Sequence, residues 1–264
     1  MLTFILLCLL VGSVVGFLAG LFGIGGGLVI VPTLVYLLPM IGVPEPLLMS
    51  AALGTSFATI VITGFSSAQR HHKLGNIEWN AVKVLAPMVM ISVFISGLFI
   101  GKLDREVSAK IFACLVVYLA TKMVISIKKS TGKTKPLTTQ ASVIGGILIG
   151  MASSAAGVGG GGFIVPFLNS RGIDMKKAIG SSAFCGALLG LSGMFSFMVS
   201  GWGNPSMPDY SLGYVYLPAV LGITCNSFFT SKLGATATSK LPVPTLKKGF
   251  ALLLVAIAVD MFIK

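Results

Sequence analysis

Charged residues are scarce in this chain of 264 residues: Asp, Glu, Lys and Arg make up 10% of it, whereas 55% is hydrophobic. A soluble globular domain carries about 25% charged residues, so the composition excludes one. Apolar runs of roughly 20 residues, long enough to cross the hydrocarbon core, recur along most of the chain. The runs lack the alternation of barrel strands, and they predict an all-α polytopic membrane protein.

Chemically reactive side chains are also few. The chain has 4 cysteines, all isolated and without metal or redox spacing. No Asp, Glu, His, Lys or Arg lies near the centre of a predicted span, where proton relays place such groups. An intramembrane hydrolase needs an activated nucleophile or an acid–base pair at depth. We therefore expect no catalytic residue, no metal site and no cofactor, and keep such an enzyme only as a lesser alternative.

The surplus of charge is basic, with a net charge of +12. The lysines and arginines lie between the apolar runs, so the positive-inside rule accounts for them and no nucleic acid is expected. Basic loops also attract anionic lipid or an anionic solute. The partners expected are the lipid bilayer and a small anion, and the oligomeric state is left open.

A glycine-rich motif occurs twice. "GIGGGLVIVP" begins at Gly23 and "GVGGGGFIVP" begins at Gly157. The match continues more weakly and in the same order, with "LGTSF" from Leu53 against "IGSSAF" from Ile179. A fixed order of matches indicates a duplication. We predict a first transmembrane repeat at 1–127, a basic cytoplasmic linker at 128–140 and a second repeat at 141–264.

Each repeat contains five apolar segments. Two of them flank the glycines as a broken pair, re-entrant or short, and three are expected to span the membrane. The segment after Gly161 has about ten residues, too few to cross. The predicted segments are 3–22, 26–42, 48–69, 81–101 and 109–127, then 141–156, 161–170, 177–200, 213–231 and 245–263.

The positions of the cations favour one topology. If each glycine-linked pair enters and leaves on the same side, most basic residues face one side, and Lys102, Arg105, Lys110 and Lys264 face the other. Ten full crossings give the same division. The positive-inside rule then places both termini outside and orients the two repeats oppositely. Inverted repeats with broken helices are typical of secondary transporters. The majority side holds Arg70, Lys73, Lys83, Lys128, Lys129, Lys133, Lys135, Arg171, Lys176, Lys177, Lys232, Lys240, Lys247 and Lys248.

The glycines are the first candidates for a binding site. A helix that begins within the membrane presents unpaired N–H groups and the positive end of its dipole, which together bind anions. Hydroxyls at matching places in the two repeats, and an amide within a predicted span, could add donors; the alternative for all of them is helix packing and interhelical hydrogen bonding. The candidate substrate-binding residues are Gly25, Gly26, Gly27, Thr55, Ser56, Gly159, Gly160, Gly161, Ser181, Ser182 and Asn226.

The motifs resemble those of the TauE/SafE, or sulfite exporter, family of membrane transporters. The resemblance rests on the two G-x-G-G-G…V-P motifs at Gly23–Pro32 and Gly157–Pro166, on "GTS" at Gly54 and on "GNIEW" at Gly75. It implies transport of sulfite, thiosulfate or an organosulfonate across a prokaryotic inner membrane. Together with the inverted repeats, it leads us to expect secondary transport by alternating access, with the anion held near the midplane. An anion channel is the alternative. This chain departs from the pattern with a further glycine, Gly162, expected to loosen the second loop slightly.

Overall fold

The computed structural model describes residues 2–128 and 136–242 and six residues beyond, namely 245, 246, 248, 249, 252 and 255. Most of the predicted linker and of the segment 245–263 lies outside them. The described part is mostly helical, as the composition predicts. Its α-helices are α1 (Leu2–Phe22), α2 (Gly27–Leu37), α3 (Leu48–Lys73), α4 (Trp79–Ile100), α5 (Arg105–Lys128), α6 (Thr139–Ala156), α7 (Gly161–Ser170), α8 (Met175–Ser200) and α9 (Leu217–Lys240).

Five helices, α1, α3, α4, α6 and α8, are long and apolar enough to cross a membrane. The central two are α3 and α8, since 83% and 61% of their most apolar windows are buried, against 33–44% in the other three. They run in opposite directions: Phe57 contacts Phe197 with ring centroids 5.7 Å apart, and Gly64 lies against Ala187. The predicted helical membrane class is thus confirmed.

Two parallel helix pairs flank this centre. α1 lies along α9, with Gly12 against Ile223 and Gly20 against Ser231. α6 lies along α4, with Gly150 against Ser92. Glycines allow these close approaches because they carry no side chain, which is the usual device for packing helices in a bilayer.

The glycine-flanking helices α2 and α7 are short. They contain 11 and 10 residues, or about 16 Å and 15 Å at 1.5 Å per residue, roughly half the hydrocarbon thickness. Both begin directly after a glycine, as predicted. The predicted segment 26–42 is divided, because α2 ends at Leu37 and a 3-10 turn, Leu38–Ile41, follows.

The ninth segment is the least accurately predicted. It begins after a small hairpin of β1 (Ser211–Leu212) and β2 (Val215–Tyr216), and it extends to Lys240 instead of ending at residue 231. Sequence periodicity misses a hairpin with two-residue strands. The helix continues past Lys232 because the small residues that follow pack against α1: Gly234 lies against the Phe17 carbonyl, and the Thr238 hydroxyl donates to the Leu21 carbonyl at 2.7 Å.

Many of the cations of the majority side meet at one end of the bundle. The Arg70 Nε donates to Thr236 Oγ1 at 2.9 Å, and the Lys176 Nζ donates to the Ser239 carbonyl at 2.7 Å. At the opposite end Arg105 pairs with Glu45. We call the end where α3 and α9 finish and α8 begins the basic end.

Candidate functional site

Two glycine loops, residues 23–26 between α1 and α2 and residues 157–160 between α6 and α7, form the junction of the two halves. Gly26 and Gly160 are the residues before α2 and α7, with φ of 87° and 78°. This left-handed conformation costs little only for glycine. The glycines therefore let the chain turn sharply and begin a new helix inside the bundle.

The loops contact each other directly. A methyl group on Gly25 would lie 3.2 Å from the Cα of Gly159, and one on Gly159 would lie 3.1 Å from the Cα of Gly25. The flanking contacts are tighter and reciprocal. A methyl group on Gly27 would collide with the Gly157 carbonyl, and one on Gly161 would collide with the Gly23 carbonyl.

Each loop presents the N-terminus of a short helix. The amides of Val29 and Ile30 donate to the Gly26 carbonyl, both at 3.0 Å, and no side chain caps α2. The second loop is built alike, since the amides of Phe163 and Ile164 donate to the Gly160 carbonyl. Within the described residues the first two amides of each helix have no acceptor. These amides, of Gly27, Leu28, Gly161 and Gly162, stand at the positive ends of the helix dipoles.

Two of the predicted hydroxyls hold the loops. The Ser56 hydroxyl on α3 donates to the Gly157 carbonyl at 2.9 Å, and the Ser182 hydroxyl on α8 donates to the Gly23 carbonyl at 3.0 Å. Both serines are fully buried. The central helix of each half is thus hydrogen-bonded to the glycine loop of the other half.

The neighbouring hydroxyls bind elsewhere. Thr55 Oγ1 accepts the Tyr216 amide at 3.0 Å, just before α9, and Ser181 Oγ accepts the Glu78 amide at 2.8 Å, just before α4. They satisfy backbone donors at the starts of two helices, which are otherwise unpaired. Among the described residues these are the hydrogen bonds of the two hydroxyls, and neither is made to a glycine loop.

Asn226 is also apart from the loops. It is half-buried on α9, and its Nδ2 donates to the Leu9 carbonyl at 3.2 Å and to Ser13 Oγ at 3.0 Å, both on α1. In the described part of the chain its hydrogen bonds therefore join α9 to α1.

Two residues of the junction were missed from the sequence. Thr63 Oγ1 donates to the Gly25 carbonyl at 3.0 Å. The Ile60 side chain covers both loops, with its Cγ2 2.8 Å from where a Cβ of Gly25 or of Gly159 would stand. Thr63 lies seven residues after Ser56, two turns along the same face of α3, and this spacing could have identified it from the sequence. The sequence gives no such indication for Ile60, because it is one apolar residue in an apolar run.

The junction is built from backbone, hydroxyls and apolar side chains. No group of three or more His, Cys, Asp or Glu residues that could hold a metal ion occurs in the described part of the chain. Its electrostatics are set by oriented peptide dipoles, with the amides of two helix N-termini near one another. Such an arrangement can bind an anion without a formal positive charge.

Comparison with known proteins gives a consistent picture. Residues 8–261 match the protein family described as "Sulfite exporter TauE/SafE". A "Probable membrane transporter protein" of Haemophilus influenzae is 80% identical over 264 residues, covering 100% of both chains. One from Methanocaldococcus jannaschii is 29% identical over 89% of this chain and 86% of its own, and one from Bacillus subtilis is 27% identical over 92% of each. No solved structure matches the chain.

Proposed function

We propose that this chain, which belongs to the TauE/SafE family of membrane transporters, is a secondary transporter of a small sulfur-containing anion. Sulfite, thiosulfate and organosulfonates are the substrates that the family resemblance implies. The family and the named relatives indicate that the chain is a membrane transporter. The substrate, the binding site and the mechanism are our proposal.

The observation that carries the proposal is the meeting of two uncapped helix N-termini in the bundle. Glycines form both loops, so an oxyanion that entered between separated loops could come close to the amides of α2 and α7. The predicted glycines Gly25, Gly26 and Gly27, with Gly159, Gly160 and Gly161, would surround it. Binding by dipoles alone would be weak and reversible, which suits a carrier that must release its substrate.

Ser56 and Ser182 complete the proposed site. Their hydroxyls now donate to loop carbonyls, and separation of the loops would free them to donate to an anion. Thr55, Ser181 and Asn226 are bonded elsewhere in this conformation, and their part in binding stays a prediction.

Movement of the two halves against each other would give alternating access. The antiparallel arrangement of α3 and α8, the corresponding helices of the two repeats, supports an inverted repeat. The basic end would face the cytoplasm of a prokaryotic cell and both termini would lie outside. An anion channel is the second candidate, because two loops that meet in the bundle could also line a pore. Saturable transport with counterflow would distinguish the carrier from the channel.

The test is thermal stabilisation of the detergent-purified protein by sulfite, thiosulfate, sulfate, sulfoacetate, phosphate, chloride and acetate. A ligand that binds the folded state stabilises it by RT ln(1 + [L]/Kd), about 2.7 kcal/mol at 100 times Kd. We expect selective stabilisation by one sulfur anion. No response, or an equal response to chloride and acetate, would contradict the proposal.

Glycine variants connect that response to the loops. Gly25→Ala adds a methyl group at φ 67° beside Gly159, and Gly42→Ala adds one at φ 84° where no atom lies within 4 Å. In both variants alanine must adopt a left-handed backbone conformation, which is strained. Only Gly25→Ala also places a methyl group at the contact between the two loops. The anion response should disappear in Gly25→Ala and persist in Gly42→Ala. Equal responses would make the glycines packing devices only.

A further inference from the structure

Three cations at the basic end have no acidic partner among the described residues. Arg70 and Lys73 on α3 and Lys232 on α9 line a cavity of about 310 Å³, together with Gln69 and Thr236. The ion pairs found within residues 2–128 and 136–242 involve other cations. In the described part of the chain Glu45, Glu78 and Glu106 each pair with another cation, and no carboxylate is among the residues that line this cavity.

Two of the three cations, Arg70 and Lys232, have contacts that hold them in place. The Arg70 Nε donates to Thr236 Oγ1 at 2.9 Å, and that hydroxyl donates to the Lys232 carbonyl at 2.8 Å. The Lys232 Nζ lies 4.0 Å from the centre of the Phe228 ring, a cation–π contact. The guanidinium and the ammonium therefore flank one small space between α3 and α9.

An apolar cavity adjoins the basic one. It has a volume of about 410 Å³, shares Gln69 with its neighbour and is lined largely by Phe65, Trp79, Phe184 and Phe228. Phe65 is 45% exposed and Trp79 39%, so the cavity opens on the outer surface of the bundle. A tryptophan at such a position is typical of the membrane interface.

The two cavities reach different depths. On α9, Phe228 lies one turn, about 6 Å, before Lys232. On α3, residues 65–72 line the apolar cavity and residues 69–73 the basic one. The apolar cavity therefore overlaps the basic one in depth and reaches farther from the basic end. A ligand that fills both must carry its negative charge outermost and its hydrocarbon toward the membrane centre.

We propose that this paired cavity binds an anionic phospholipid. Its phosphate lies among Arg70, Lys73 and Lys232, and one acyl chain lies along Phe65 and Phe228. A soluble anion would leave the apolar cavity empty, and a zwitterionic lipid would leave the three cations without a net negative partner. Basic pockets between membrane helices are suited to such headgroups. The site is separate from the glycine loops and does not depend on what the protein transports.

Native mass spectrometry of the purified protein tests this. The probes are phosphatidylglycerol, phosphatidylcholine with the same chains, glycerol 3-phosphate and inorganic phosphate. We expect phosphatidylglycerol to bind most tightly. Lys232→Gln and Lys73→Gln should each weaken it about fivefold, the effect of one cation at a membrane surface. Lys102→Gln, the same change in an exposed residue at the opposite end, should have no effect.

The apolar half needs its own variant. Phe65→Ala should weaken phosphatidylglycerol and leave glycerol 3-phosphate unchanged. Equal binding of phosphatidylcholine, or an equal loss in Lys102→Gln, would overturn the proposal. Binding of either soluble phosphate as tightly as the lipid, with the same dependence on Lys232, would overturn it in favour of a soluble-anion site.

Discussion

Alanine at Gly161 and at Gly162 should have opposite effects on stability. Both residues begin α7, and neither has a left-handed φ. Replacing glycine by alanine in a helix is favourable by up to about 1 kcal/mol. At Gly161, however, the new methyl group would collide with the Gly23 carbonyl and the Ile24 Cα, which are backbone atoms of the other loop. Only a shift of the two loops can relieve that overlap.

At Gly162 the methyl group would meet the Leu119 Cδ1 at 2.9 Å, the far end of a flexible side chain, and then atoms at 3.7 Å and beyond. A small rotation of Leu119 would accommodate it. We expect Gly162→Ala to be neutral or stabilising by up to about 1 kcal/mol. Overpacking costs about 1–3 kcal/mol, so Gly161→Ala should be less stable than Gly162→Ala by about that amount.

The assay is the apparent midpoint of thermal unfolding in one detergent at one scan rate, because irreversible unfolding makes the midpoint depend on that rate. For a chain of this size 1 kcal/mol corresponds to about 2–4 °C. Gly161→Ala should unfold several degrees below Gly162→Ala. If Gly161→Ala is as stable as Gly162→Ala, the direct contact between the loops is refuted.

Two further predictions concern Asn226 and the topology. Asn226→Leu removes two hydrogen bonds to α1 and should lower the free energy of unfolding by about 0.6 kcal/mol per bond. Thermal stabilisation by the transported anion should persist in this variant. Loss of that stabilisation would show that Asn226 contributes to anion binding. A reporter cysteine at Lys133, in a cysteine-free background, should react with an impermeant reagent only from the cytoplasmic side and one at Lys102 only from outside; the reverse result would contradict the proposed orientation.

Much of the fold was predictable because membrane helices depend on length and apolarity. The bounds of α6, α7 and α8 differ from the predicted segments by two residues or fewer. Short elements between the helices were not predictable in this way. The hairpin of β1 and β2 has a turn with Gly213 at φ 56°, and two-residue strands give no periodic signal.

The glycine loops of the candidate site were predictable from the sequence, but the side chains that contact them were less so. A duplicated glycine run indicates positions where backbones approach closely, and the two loops do meet. The hydroxyls were chosen for matching positions in the repeats, and that criterion cannot tell Ser56 from Thr55. Adjacent helix residues point about 100° apart, so one reaches the loop of the other half and the other reaches the start of α9. Only the packing of α3 decides between them.

The contacts of the junction explain why the glycine motif is present in both halves. The Gly157 carbonyl leaves no room for a side chain at Gly27, and the Gly23 carbonyl leaves none at Gly161. The backbone of each glycine loop therefore requires glycine in the other motif. The two motifs differ at several positions, and at two of them the first half has a large residue where the second has a glycine: Leu28 against Gly162, and Ile60 against Gly186. Leu28 lies beside Gly162, and Gly186 lies against the Gly159 carbonyl, so a second large side chain would find little room at either place. In the proposed alternating access, the inward-open and outward-open states arise when the two halves exchange conformations. Because the halves differ at these positions, the two states would not have the same contacts. The two end states would therefore differ in stability even without substrate.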